Sequence, residues 1–464
     1  MKINKYIIYL TILLNTIAAP ISKAQNKISL VRYNDDFSSL KKDTLKKGFD
    51  KLKYIKLGEN KNLSIGGEIR EQFQYYENQN FGDVPHSVTN PNAIQVWQRI
   101  MLHTNIELGN KIRLFSQISS TFRFGNPDPL VPEIDENQLS IHQMFIDYKF
   151  NEKWLTRIGR QEVFYGNHRL FTFREGPNTR LAFDAVIIKH NTTKRKYDFF
   201  VMTPVISQKG IFDDKSFKEV VIGLYTTEKI YKNHIILDSY SFFFSSDKRT
   251  YNYTSGNEKR ETSGIRLYSE NNNFNYEVEA NYQKGKFNNQ KIKAYSFSAD
   301  VNHKLIDKNK FIVGFNVNYM SGDKNENDNQ LNTYNSIFSK PPFGLVAPIG
   351  LSNIINFNPY IKINPTAKSN IYAGTYWLSR LSYQDDIYSP GAGGALETRP
   401  NNPLFNNATS KSIGTLFVIE SNFYLNKNIT FSFDTSYLKS GSYPKETGSG
   451  KDILYLSFKS NYKF

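Results

Sequence analysis

From about residue 61 to residue 464, polarity alternates at every second position through one segment after another. Lys111 to Phe124 shows the pattern most plainly. Ile112, Leu114, Ile118, Phe122 and Phe124 share one parity, and Arg113, Gln117, Ser119, Thr121 and Arg123 share the other. The stretch before it sets Ile94, Val96, Ile100 and Leu102 against Gln95, Arg99, His103 and Asn105. A period of two is that of a β-strand with one apolar face. It leaves two architectures open, a soluble sandwich and a membrane barrel, since both alternate.

The joints decide between them. About eighteen segments follow one another: 61–77, 94–109, 111–124, 139–150, 153–163, 180–190, 194–204, 216–230, 234–246, 258–270, 273–284, 291–304, 309–320, 351–364, 369–383, 411–425, 428–440 and 451–464. Long joints (78–93, 125–138, 164–179, 321–350, 384–410) alternate with short ones such as Gly109-Asn110, Asn151-Glu152, Thr192-Thr193, Asn271-Asn272 and Asn426-Lys427. Short periplasmic turns and long external loops are the mark of a bacterial outer-membrane barrel. An even strand number closes the sheet with both ends on the periplasmic side. The last segment places Leu454, Leu456, Phe458, Tyr462 and Phe464 on one face, and the terminal Phe464 matches the signal that barrel-assembly machinery reads. The expected fold is all-β: a transmembrane antiparallel up-and-down barrel in the outer membrane, working as a monomer.

Aromatic residues make up 15% of the chain, as interfacial girdles require. At the N-terminus, Lys2 and Lys5 precede an apolar run from Tyr6 to Ala19 and a Ser22-Lys23-Ala24 cleavage pattern. Residues 1–24 therefore read as a secretory signal peptide, too short in its apolar part to be an anchor. Residues 25–60, with Lys41, Lys42, Lys46, Lys47, Lys51, Lys53 and Lys56, read as a short polar periplasmic segment, a solvated leader in preference to a piece tucked at the mouth, and 61–464 as the barrel. Cysteine is absent, which removes disulfides and thiol chemistry. The seven histidines are scattered, with no Gly-x-Ser-x-Gly elbow and no His-Glu-x-x-His site, so neither an enzyme nor a metal or other cofactor is expected.

The formal net charge is +16. Export argues against nucleic acid and leaves anionic lipid or anionic solutes as partners. A charge at mid-depth on the lipid face of a barrel costs roughly 2–4 kcal/mol, so charges within strands are expected in the lumen. Parity places Arg70, Arg99, Arg113, Arg123, Arg180, Asp184 and Arg266 there, with Glu107, Glu277, Glu279 and Glu420. Arginine binds carboxylates and sulfates bidentately, and a pore lined with it lowers the barrier for anions. The competing reading is a set of salt-bridge ladders that hold the wall. The two longest external loops, 321–350 with Asp323-Lys324-Asn325-Glu326 and Pro341-Pro342, and 384–410 with Gly391-Ala392-Gly393-Gly394, fit either a constriction or exposed surface.

Leu63-Ser64-Ile65-Gly66-Gly67-Glu68-Ile69-Arg70 resembles the opening strand of the alginate-export family of outer-membrane barrels. Ile158-Gly159-Arg160-Gln161-Glu162, then Tyr165-Gly166 and Arg169-Leu170, resemble the same family, as do Arg174, Arg180 and Phe183-Asp184-Ala185-Val186, where Ala185 replaces a usual glycine. Ile413-Gly414, Glu420 and Phe464 also fit. The resemblance implies a barrel whose arginine-lined lumen passes an anionic uronate polysaccharide or oligosaccharide. By motif position it marks Arg70, Arg160, Arg169, Arg174, Arg180 and Asp184 as pore residues, although parity groups Arg160 with Trp154 and Ile158, at a bulge or interface. Other readings are a general or anion-selective porin for small solutes, or an adhesin acting through its loops. Periplasmic export or uptake components are candidate partners, and the direction of flow stays open.

Overall fold

The computed structural model describes residues 28–42, 45–83, 92–125, 135–216, 218–231, 234–252, 254–269, 273–306, 310–325, 327–390 and 408–464. Residues 1–24, expected to be a signal peptide, and Asn271-Asn272, Glu326 and Gly391-Ala392-Gly393-Gly394 lie outside these residues. In chain order the strands are β1 (Ile55–Gly58), β2 (Lys61–Glu77), β3 (Ala93–Leu108), β4 (Ile112–Gly125), β5 (Asn137–Lys149), β6 (Trp154–Gln161), β7 (Phe183–Asn191), β8 (Arg195–Pro204), β9 (Glu219–Tyr231) and β10 (Ile235–Tyr251). They continue as β11 (Thr254–Ser269), β12 (Phe274–Phe287), β13 (Gln290–Ile306), β14 (Phe311–Met320), β15 (Gln330–Leu331), β16 (Ile354–Thr366), β17 (Ser369–Ser379), β18 (Ser412–Tyr424), β19 (Ile429–Ser440) and β20 (Ile453–Lys463).

Apart from the short β1 and β15, eighteen described strands form one antiparallel wall, each bonded to its neighbour in sequence. β20 returns to β2, with Ile69 opposite Tyr462 and Phe73 opposite Phe458, and this closes the barrel. Closure leaves no wall edge unpaired, which a sheet inside hydrocarbon requires. Ile100, Leu102, Ile146, Val186, Phe297 and Trp377 are exposed on the outer face, while Arg99, Met101, Phe145 and Ala185 between them are buried inside. The alternation is thus apolar outward over most of the belt.

Every expected segment is a strand, but β10 to β13 are longer than their sequence pattern. β10 runs to Tyr251 and β11 starts at Thr254, while β12 runs to Phe287 and β13 starts at Gln290, so two external joints are only two residues long. The polar stretch between the expected strands pairs because its inward side chains, Tyr251, Phe287, Ile292 and Ala294, pack on loops that have folded inside the barrel.

Those loops form the interior. The segment between β6 and β7 (162–182) and that between β14 and β16 (321–353) both enter the lumen. Phe171, Phe338, Phe343 and Leu351 from the loops are buried with Phe183, Phe200, Phe242 and Phe244 of the wall in a single apolar cluster. Phe171 and Phe338 meet with ring centroids 6.3 Å apart. The 321–350 loop is therefore a constriction element.

The leader is likewise not solvated. Residues 28–42 and 45–54 form a strap of short 3-10 turns inside the periplasmic end, burying Val31, Arg32, Phe37, Leu40 and Lys53. Arg32 donates to the carbonyls of Gly67 (2.7 Å) and Phe464 (2.8 Å), and Tyr33 packs edge-on against Phe145 at 5.4 Å. The lysine count of this stretch hid three apolar residues, Val31, Phe37 and Leu40, that seat it in the mouth. β1 then hairpins onto β2.

Candidate pore constriction

The register of β2 and β3 sets Arg70 directly opposite Arg99. Two cations in that position repel. The repulsion is answered from outside the sheet. The infolded 162–182 loop places Glu175 within 2.7 Å of Arg99 and 3.7 Å of Arg70, and Glu68 of β2 lies 2.5 Å from Arg99. Arg180, from the same loop, pairs with Glu175, with Glu162 at 3.2 Å and with Glu68 at 3.8 Å. His142 Nε2 lies 2.9 Å from Glu162. Asn178 fixes the loop, accepting from Arg70 (3.1 Å) and donating to the carbonyl of Phe122 (3.0 Å). Burial opposes ionisation of Glu175, yet Arg180, Arg99 and Arg70 hold its carboxyl well below the usual carboxylate range.

A second network sits on the far wall. Arg169 reaches from the loop to Glu277 (2.5 Å) and Glu279 (3.0 Å), and Arg266 bonds Asp238 (2.8 Å) and Glu277 (2.7 Å). Arg113 and Arg157 share Asp147, and Arg157 lies 4.2 Å from the ring centre of Tyr33 in the strap. Arg260 pairs with Glu258 at 2.5 Å. Arg174, in a left-handed backbone conformation, lies beside Arg249 and Glu219.

The sequence-derived set thus divides. Arg70, Arg99, Arg113, Arg123 and Arg266 occupy the lumenal parity, and Arg169, Arg174 and Arg180 enter on the infolded loop. Glu420 faces inward, paired in register with Tyr372 and Asp434. Arg160 and Asp184 do not line the pore. They bond each other (2.8 Å) on the parity of Ile158, Met144 and Val186, on the outer face, beside Asp214 of the 205–218 joint. Phe183 and Ile187, on the parity opposite Asp184, point inward, because the infolded loops give lumenal apolar residues something to bury against. Phe464 ends the last strand with mutual backbone bonds to Gly67 (2.9 and 3.0 Å). A Cβ on Gly67 would meet the Phe464 ring at 2.6 Å, so glycine there lets the terminal ring seat.

The arginines lie in the lumen, but their charge is largely spent. Arg70, Arg99, Arg113, Arg169, Arg180 and Arg266 each have a carboxylate within 4 Å. Sequence reading missed Glu162, Glu175, Arg157 and Arg260. Parity contained a signal for Arg157, which alternates with Ile158. For Glu175, in a loop, there was none.

The other side of the lumen is polar rather than cationic. Asn318 donates to Asn316 (2.7 Å) and Asn356 (3.1 Å), Tyr360 to Asp300 (2.9 Å), and Tyr372 to Asn358 (3.0 Å). Lys340, in the 321–353 loop, is exposed, its amide donates to the His168 carbonyl (2.9 Å), and its charge acts on Asp434.

A closed wall of this strand number, apolar outside and polar within, with loops narrowing its lumen, defines an outer-membrane channel of the porin kind. The family model for alginate export matches residues 61–451, and the chain belongs to that family. No curated protein matches it. Solved outer-membrane proteins share the fold at low identity. OccAB1 of Acinetobacter baumannii aligns with a TM-score of 0.58 and 9% identity over 90% of this chain and 99% of that one. OpdO of Pseudomonas aeruginosa gives 0.56 and 8% over 88% and 97%, and a BenF-like porin of Pseudomonas fluorescens Pf-5 gives 0.55 and 8% over 87% and 99%.

Proposed function

We propose that the channel conducts anionic saccharides of the uronate class, captured at its periplasmic mouth. The observation that carries this reading is a collar of lysines on the periplasmic turns. Lys111, Lys153, Lys194, Lys310 and Lys368 stand exposed on five different turns of one rim, and Lys427, on a sixth, pairs with Asp50 of the strap at 3.3 Å. Such a rim raises the local concentration of anions before they reach the throat. Inside, amide and phenol groups of Asn316, Asn358, Tyr360 and Tyr372 offer the neutral donors and acceptors that sugar hydroxyls need, and the paired arginines hold the throat in shape. Membership of the alginate export family supports the same substrate class. In a planar bilayer, short oligouronates on the periplasmic side should block the current saturably, and neutral oligosaccharides of equal length should block far less. Equal block by both would remove the uronate reading.

The second reading is a porin for small solutes. The depth to which the 162–182 and 321–353 loops fill the lumen favours it, because a narrow throat suits small permeants. Current carried by small organic anions with no block by oligouronates would select it.

A further inference from the structure

The extended strands β11 to β13 carry, on their outer face near the extracellular end, Lys259, Lys284, Lys286, Lys291 and Lys293, all exposed. Lys284 stands directly opposite Lys293, Lys286 opposite Lys291, and Lys259 opposite Lys286. No other directly opposed lysine pairs occur in the described strand registers. Like charges set opposite each other destabilise a sheet, and among the described residues the ion pair on this face is Glu261 to Lys284 at 3.2 Å. The grid therefore calls for an external polyanion.

One step along the same strands, toward mid-membrane, the wall changes character. Tyr282 and Tyr295 face each other as an interfacial girdle pair. Beside them the outward side chains shrink to Thr226, Ser239, Ser241, Ser263 and Ala280, leaving a concavity of ≈ 780 Å³ bounded by Leu224, Ile265 and the two tyrosines. Its walls are overwhelmingly apolar, because Ser241 and Ser263 bond each other at 2.9 Å and Thr226 donates to the Ser239 carbonyl. A cationic grid above an apolar groove, divided by an aromatic line, matches an amphiphile whose phosphates sit at the membrane surface and whose acyl chain runs down the wall.

We propose that this face is a specific site for a phosphorylated, multiply acylated glycolipid of the outer leaflet. Its phosphates are held between the opposed lysines, and one acyl chain lies in the groove over Ser241 and Ser263. The site is separate from the lumen and does not depend on what the channel conducts.

The test uses the full barrel in nanodiscs, with a bisphosphorylated, acylated glucosamine disaccharide as probe and its phosphate-free counterpart as control. Retention is read by native mass spectrometry and by titration. Wild type should hold the phosphorylated probe at a defined stoichiometry and release the control. Lys284→Gln, Lys286→Gln, Lys291→Gln and Lys293→Gln together should weaken binding roughly a hundredfold or more, taking about fivefold per lysine at a membrane surface. Ser263→Phe fills the groove without touching the charges and should also weaken binding, with conductance unchanged as the check on folding. Equal affinity for the two probes, or full retention by the groove-filled variant with the barrel intact, overturns the proposal.

Discussion

Arg32 Nη2 lies 2.8 Å from the main-chain carbonyl of Phe464, so the periplasmic strap is tied to the end of the strand that closes the barrel. The same guanidinium bonds the carbonyl of Gly67 and the carboxylate of Asp35 (2.9 Å), and its side chain is almost fully buried. Hydrogen bonds to a charged group contribute about 1.5–3 kcal/mol each. Arg32→Ala should therefore raise amide exchange across 28–54 by roughly ten- to a hundredfold, with exchange in β2 to β20 unchanged. Unchanged exchange in the strap would show that its apolar residues alone hold it.

The strap should also respond to pH. Burial, aided by Arg32, brings the Lys53 ammonium down to about 7. A lowered folded value means that seating is strongest where Lys53 is neutral. That contribution is lost as pH falls from the lysine range toward 7. Strap protection factors, which normalise for the intrinsic pH dependence of amide exchange, should fall as pH drops from 9 to about 6.5, and Lys53→Met should flatten that profile. A flat wild-type profile would count against burial of this amine.

Asp385 makes the opposite prediction on the extracellular side. It joins the two longest loops, accepting from Thr333 (2.6 Å), Tyr388 (2.5 Å) and the Asp323 amide (2.7 Å), and burial pushes its carboxyl up to about 7. The raised value means that its contribution is full below the ordinary aspartate range and is lost as pH rises through about 7. Proteolysis of the 321–353 and 380–390 segments should accelerate between pH 6 and pH 8. Asp385→Asn should abolish that acceleration.

Arg180→Ala would leave Glu68, Glu162 and Glu175 with one shared cation fewer. Breaking a buried ion network by removing one partner costs about 3–5 kcal/mol. The 162–182 loop should detach from the wall, giving larger or noisier single-channel currents from a barrel that still resists heat in detergent. Currents identical to wild type would mean that this loop does not limit flow.

Charge reversal at the rim should act differently. Lys153→Glu, Lys194→Glu and Lys368→Glu together should weaken oligouronate block from the periplasmic side, steeply at low salt and little at high salt, because exposed charges are screened within about 8–10 Å. Equal loss from both sides would place the effect elsewhere.

Most of the wall was legible in the sequence, and the interior was not. Parity alone places Arg70, Arg99 and Arg113 inside, because a membrane barrel penalises the alternative at every strand. In β7 parity is assigned to the wrong face: the charge of Asp184 reads as lumenal, yet Asp184 faces out with the exposed Val186. Only its partner Arg160, opposite it in register, accounts for an ion pair on that face. The strap and loops follow no period. What fixes them is complementarity to side chains far away in the chain, as between Glu175 and Arg99 or Tyr33 and Arg157.

Phe171, Phe338 and Phe343 cannot reach their final neighbours until the sheet around them is a closed ring. The molecule therefore has two insides made at different times. One is a wall whose stability belongs to the lipid. The other is a core that assembles like that of a water-soluble domain, in a container already built. Heating or denaturant should separate these as two unfolding events, the core loosening first while the cylinder stands.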